Sequence, residues 1–190
     1  TLELKAGEIG LSLDGKVLGD VVDTLKRLEY EGYHYEAADA SLELLMRRAT
    51  GWEPDWFKVE SFRVITDDTA GVATLTDETG ATVTTEATVK VHVDGRRVIA
   101  TAEGNGPVNA LDGALRKALT HFYPELKDVR LTDYKVRVVD AKDGTAAKVR
   151  VLVEGADEQG SWSTIGVSTN IIEASWQALA DSVEYPLLRH

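Results

Sequence analysis

Two short stretches carry the residue types best suited to hold a small ligand: Gly104-Asn105-Gly106-Pro107-Val108 and Gly166-Val167-Ser168-Thr169-Asn170. Each falls between a strand-like run and a helical run. The first four amide N–H groups of a helix lack partners within it. The aligned peptide dipoles add partial positive charge there, so a carboxylate or phosphate is the natural guest. Glycine allows a close backbone approach. Pro107 suits a first helical turn, where its missing donor costs nothing. Ser168, Thr169 and Asn170 are good N-cap residues, and plain capping is the commoner use of such types. Gly104 and Gly106 after a strand partly imitate a dinucleotide fingerprint. Asn109 stands where its third glycine belongs, and the flanking pattern is hairpins rather than βαβ, which argues against that reading.

No catalytic constellation accompanies them. His34, His92, His121 and His190 show no metal-ligand spacing. No Gly-x-Ser-x-Gly elbow or Walker loop is present. The 190 residues include no cysteine, so disulfides, zinc thiolates and cysteine nucleophiles are excluded, as suits a reducing, cytoplasmic setting. Glu36, Asp39 and Glu43, with Arg47 beside them, read as a solvated helix face, or alternatively as a docking face. The formal net charge of -11 argues against nucleic acid and anionic membrane surfaces. No apolar run approaches the roughly 20 residues of a membrane span, and no signal peptide is evident. A chain opening on Thr1 is expected to be a piece of a longer protein.

Periodicity supplies the elements that position these stretches. Val17, Leu18, Val21, Val22, Leu25 and Leu28 have helical spacing, with Gly32 as a stop. A second helix is expected over 35–49, with Ala38, Leu42, Leu45 and Ala49 on one face and Gly51 as its glycine cap. Period two begins near Phe57. Strands are expected around Val59–Thr66 and at Ala87, Val89, Val91 and Val93, with turns at 77–80 and at Asp94-Gly95. A return strand over 96–103 leads to a helix over 108–122, buried through Val108, Leu111, Leu115, Ala118 and Phe122. The order then repeats. Tyr134, Val136 and Val138 form a strand, 142–144 a turn, and Ala147, Val149, Val151 and Val153 a second strand. A loop over 155–160, a strand over 161–167 and a helix to about Val183 complete the repeat. The predicted class is α+β: residues 1–52 as a helical linker subdomain, then 57–190 as one domain of two βββα units, about 57–123 and 131–188.

Three segments together resemble the C-terminal regulatory region of α-isopropylmalate synthases and citramalate synthases, the citramalate branch more closely. They are Glu31-Gly32-Tyr33-His34-Tyr35-Glu36-Ala37-Ala38-Asp39-Ala40-Ser41, Glu103-Gly104-Asn105-Gly106-Pro107-Val108-Asn109-Ala110-Leu111-Asp112, and the run from Trp162 through Ile165, Gly166 and Asn170 to Trp176. The resemblance implies a dimerising domain that binds a pathway end product as feedback inhibitor. That product is isoleucine for citramalate synthases and leucine for isopropylmalate synthases. It also implies a parent enzyme whose own N-terminal TIM barrel condenses acetyl-CoA with a 2-oxo acid at a divalent metal. The barrel's His-x-His motif has no counterpart here. No catalytic residue, metal ligand or cofactor is therefore expected in this chain, and nothing in it can enolise a thioester. The expected partners are a second copy, the barrel and a branched-chain amino acid. On this reading the effector residues are Asn105, Gly106, Pro107, Val108, Asn109, Asp112, Ser168, Thr169, Asn170 and Ile171. The helix starts at Val108 and Asn170 take the carboxylate. Backbone carbonyls, Asp112 or Glu173 take the ammonium, and Val108, Ala110, Ile165, Val167 and Ile171 wall the side chain. A leucine sensor and a pure assembly module without effector are the alternatives.

Overall fold

A computed structural model describes residues 1–68 and 83–190; the turn expected at 77–80 lies outside them. The chain packs as two compact units, Asp55–Lys127 and Thr1–Pro54 with Asp128–His190. Each holds one βββα motif, so the fold is α+β with an architectural duplication. The sequence reading set 1–52 apart from 57–190. In the packing, the helical segment shares a unit with the second motif.

In the unit Asp55–Lys127, strands β1 (Lys58–Asp68), β2 (Val83–Val93) and β3 (Arg96–Gly104) form an antiparallel sheet in that order. Ala87, Val89, Val91 and Val93 are fully buried, as their alternation requires. Asp94 (φ 49°) and Gly95 (φ 70°) make the two-residue turn that pairs Val93 with Arg96. Helix α4 (Pro107–Leu119) packs on β2 and β3 through Ala110, Leu111, Ala114, Leu115, Ala118 and Leu119. Val108 and Phe122, expected on that face, are only half-buried. The helix stops at Leu119, whose carbonyl accepts from both Phe122 and Tyr123, so Phe122 sits on a turn beyond the buried face.

The second motif comprises β4 (Arg130–Val138), β5 (Val149–Asp157), β6 (Gly160–Ser168) and α5 (Ile171–Arg189). The first strand of each motif carries a bulge near its start, between Val59 and Ser61 and between Leu131 and Asp133. The expected loop over 155–160 shrinks to a two-residue turn, because β5 continues to Asp157. Gly155 is there for packing: a Cβ on it would stand 2.7 Å from Trp162 Nε1 and Ser182 Oγ. Helix α5 also outlasts its expected end at Val183 and runs through Pro186. Proline inside a helix costs about 3 kcal/mol. Contacts beyond it hold the last turn: Arg189 donates to Asp157 (2.8 Å) and lies 4.7 Å from the Trp162 ring centroid.

Helices α1 (Leu2–Glu8), α2 (Gly15–Glu31) and α3 (Asp39–Ala49), with a 3-10 turn at Tyr35–Ala37, make the helical segment. The Asp14 carboxylate caps α2, accepting from Lys16 and Val17 at 3.1 and 2.9 Å. Gly32 ends it in the left-handed region (φ 113°). The helix expected over 35–49 breaks at Ala38, whose extended φ of -143° starts α3 afresh. Ala38 and Leu42 are buried as expected, but Ala49 is exposed, and Leu44 and Met46 are buried in its place. The reason is that α3 packs on both β6 and α5, so more than one stripe is covered. Ala6, Val21, Tyr35, Ala38, Leu42 and Met46 close over Ile165, with Leu152 at the margin.

Two glycine substitutions separate packing from propensity. A Cβ on Gly166 would run into the backbone carbonyl of Ala174, whereas one on Gly19, inside α2, meets nothing. Gly166→Ala is expected to lose at least about 1–3 kcal/mol, and Gly19→Ala to gain about 0.5–1 kcal/mol. Urea unfolding of both variants checks this, and equal effects would contradict the packing account.

Candidate functional site

The two helix starts have the same architecture and different chemistry. Strand β3 ends at Gly104 and α4 begins at Pro107, with Gly106 as N-cap in fully extended backbone (φ -178°). Among the described residues no side chain caps this helix. A Cβ on Gly104 would lie 2.5 Å from Asn109 Oδ1 and 2.6 Å from the Ala110 nitrogen, so strand and helix can meet only at glycine. A Cβ on Gly106 meets nothing within 4 Å among the described residues. The Asn109 side chain turns back to accept from the Asn105 amide (3.1 Å), which fixes the loop without covering the helix end. Val108 is half-buried behind it.

The start of α5 caps itself. Asn170 Oδ1 accepts from the amides of Ile172 (2.9 Å) and Glu173 (3.3 Å). Ser168 Oγ accepts from the Asn170 amide (3.1 Å) and donates to Glu173 Oε2 (3.0 Å). The Asn170, Ile172 and Glu173 amides are thus taken by the loop's own side chains. Ile171 is exposed and Val167 and Ile165 are buried. Residues 105–112 belong to one unit and 168–171 to the other. Asp112 is engaged: Arg116 donates to it at 2.8 Å and, through its other arm, to the Leu126 carbonyl (3.0 Å). Burial raises the Asp112 carboxyl pKa, and the Arg116 charge opposes that without cancelling it.

A polar cluster that sequence reasoning did not single out ties the helical segment to the second motif. Ser41 donates to Asp181 (2.8 Å) and accepts from the Ile165 amide (3.0 Å). Arg48 bridges Asp181 (3.2 Å) and Glu184. Tyr33 donates to Gln177 Oε1 (2.7 Å), which also accepts from the Val167 amide (3.1 Å). Asp39, read from sequence as one of a solvated or docking trio, accepts from the Ser163 amide at 2.9 Å. Glu43 and Arg47, paired at 2.6 Å, are largely covered. The Tyr33–Gln177, Ser41–Asp181 and Asp39–Ser163 partners lie more than a hundred residues apart. Burial raises the Asp181 carboxyl, against the Arg48 charge and the Ser41 hydrogen bond. Burial likewise raises Glu184, whose neighbour Asp181 adds to the effect.

Two βββα motifs, the second packed with a helical segment, define an α+β domain of duplicated architecture. The family described as the LeuA allosteric (dimerisation) domain matches residues 36–187. The chain belongs to that family. It is 50% identical to an (R)-citramalate synthase of Streptomyces coelicolor over 100% of the chain and 34% of that enzyme. Identity to the (R)-citramalate synthase of Aquifex aeolicus is 48%, over 97% of the chain and 34% of the enzyme. A 2-isopropylmalate synthase of Shewanella woodyi is 32% identical over 74% of the chain and 23% of that enzyme. The chain spans about a third of the length of the citramalate synthases it matches. Among the described residues no helix is long and apolar enough to cross a membrane.

The raised Asp181 and Glu184 pKa values carry a sign. Folding favours the protonated forms, so the stability they contribute is complete below the ordinary carboxyl range, about 3.9–4.3. It is lost as pH rises through the folded values. Asp181→Asn removes one of these groups. Its stability relative to the parent chain is expected to improve as pH rises from about 4 to 7. Denaturant midpoints across that window test this, and parallel profiles would refute it.

Proposed function

We propose that this chain is the C-terminal regulatory and dimerisation region of a citramalate synthase, and that it binds the end product isoleucine as feedback inhibitor. The parent condenses acetyl-CoA with pyruvate in an N-terminal metal-dependent barrel. The observation that carries the effector reading is the uncapped start of α4. Gly106 offers no side chain, its Cβ position is open, and the helix amides behind it are left to an incoming carboxylate. Asn105, Pro107, Val108 and Asn109 frame this start. Backbone carbonyls suit the effector ammonium better than Asp112, whose carboxylate is held by Arg116. The self-capped start at Ser168, Thr169, Asn170 and Ile171 supplies shape more readily than donors. Citramalate synthases match the full length of the chain at about half identity, which favours isoleucine over the leucine of the isopropylmalate branch.

Self-association has its own support. Tyr134, Val136 and Val138 lie on β4, paired with Val153, Val151 and Val149, and are 39–56% exposed. An apolar strip on an edge strand is a surface suited to a second copy. Val136→Glu is expected to shift a dimer towards monomer in sedimentation velocity, and an unchanged dimer would place the interface elsewhere.

Gly106→Asn tests the effector site without breaking the fold. A new cap on α4 is expected to add a few tenths of a kcal/mol while occupying the amides the carboxylate needs. Calorimetric titration should show isoleucine bound by the parent chain, leucine and valine about 10–200-fold more weakly, and isoleucine lost in the variant. No heat from any of the three at millimolar ligand, or undiminished binding in the variant, would sink the assignment.

A further inference from the structure

A cavity of about 340 Å³ opens within the unit Thr1–Pro54 with Asp128–His190, between the helical segment, β6 and α5. Of the residues expected to hold the effector it shares only Ile165. Leu28, Leu45 and Ile165 give it an aliphatic wall, and Tyr33 and Tyr35 stack at 5.6 Å between ring centroids. Asp181 and Arg48 complete the lining on the polar side.

The charges there do not balance. Asp181 and Glu184 share the single guanidinium of Arg48, which leaves one carboxylate in excess. Glu31 and Glu173 extend the negative field to Tyr33, and Arg27, itself paired with Glu31, partly offsets it at Tyr35. Acceptor capacity is also left over. Each Asp181 oxygen takes one hydrogen bond, from Ser41 or from Arg48, whereas an ionised carboxylate has about four lone-pair sites. The Tyr35 ring is buried, with the residue 8% exposed, while its hydroxyl makes no hydrogen bond among the described residues and is not fully enclosed.

We propose that this cavity binds a small primary ammonium bearing an apolar tail, with the ammonium at Asp181 and Tyr35 and the tail against Leu28, Leu45 and Ile165. The ammonium supplies the missing positive charge and donates to the spare oxygens. Stacked tyrosine rings further favour a cation over a neutral group. An anion would meet the excess carboxylate. A wholly apolar guest would leave the spare Asp181 acceptors unused and the charge uncompensated. The volume suits a guest of a few heavy atoms.

Isobutylammonium, neutral isobutanol and anionic isobutyrate share a carbon frame and separate these cases. Titrated into the 190-residue chain and followed by ¹⁵N NMR, isobutylammonium should shift the amides of Tyr35, Leu45 and Asp181. Isobutanol should bind at least about tenfold more weakly and isobutyrate not at all. Asp181→Asn should weaken the ammonium about tenfold or more. Tyr35→Phe, which keeps the ring and the stack, should weaken it several-fold and serves if the first variant unfolds. Gly106→Asn should leave it unchanged, which keeps this site distinct from the isoleucine site. Equal binding of isobutanol and isobutylammonium, no shift at tens of millimolar ammonium, or an affinity indifferent to both cavity variants would overturn the proposal.

Discussion

Both βββα motifs depend on a glycine in the third strand over which the following helix passes. At Gly104 the helix backbone comes so near that Ala110 N would touch a Cβ at 2.6 Å, and at Gly166 the Ala174 carbonyl occupies the side chain's place. Small residues carry the same close approach along the helices. Ala110, Ala114 and Ala118 on α4, and Ala174 and Ala178 on α5, are fully buried. Gly113 of α4 faces the Ala102 Cβ of β3 in the same manner. Close-packed contacts of this kind tolerate little added volume. They also determine which end of each helix sits at the strand end, and so where its amides are presented. Two of the glycines that first look like a ligand cradle are therefore packing glycines. Gly106 is the exception, with nothing near its Cβ among the described residues.

The helical segment is held to the second motif by apolar burial around Ile165 and by hydrogen bonds of unusual reach. Arg150 donates to the Gly32 carbonyl (2.6 Å) at the left-handed end of α2, where Val139 also closes in. Ser41 accepts from the Ile165 amide and donates its hydroxyl hydrogen bond to Asp181. Burying that carboxylate has a desolvation cost, and Arg48 offsets it only in part because Glu184 competes for the same guanidinium. A hydrophobic cluster alone would fix the segment less specifically. The polar ties set its register on β6, since Ser163 and Ile165, two residues apart on one strand face, are both claimed by the start of α3.

Much of this fold is legible in the sequence because its strands alternate cleanly. Ala87, Val89, Val91 and Val93 announce a one-sided strand, and Asp94-Gly95 announces its turn. Gly32 and Gly51 mark helix ends that adopt positive φ. Elements went astray where tertiary contacts overrule local signals. Pro186 lies inside α5 because Arg189 has Asp157 and Trp162 to hold it. Gly155 reads as a loop residue but serves the Trp162 ring. The face of α3 cannot be read from one stripe when two neighbours bury it. For the candidate site, the sequence located both helix starts but not the difference between them in free donors. The Tyr33, Ser41, Arg48 and Asp181 cluster was invisible, since no local pattern joins residues about 140 positions apart.

That difference between the helix starts is the most informative feature of the duplication. Two copies of one motif begin with the same physical problem, unsatisfied amides at the start of a helix. The second copy solves it with Asn170, Ser168 and Glu173. The first does not, although its extended φ and open Cβ position would accept a capping side chain without strain. Steric demand therefore does not explain Gly106, as it does Gly104. Leaving the cap off forgoes a few tenths of a kcal/mol, and on the proposed effector reading it keeps the first-turn amides for an incoming carboxylate. A carboxylate held there gains from dipole and amides together. A side chain in that place would compete with it for every hydrogen bond.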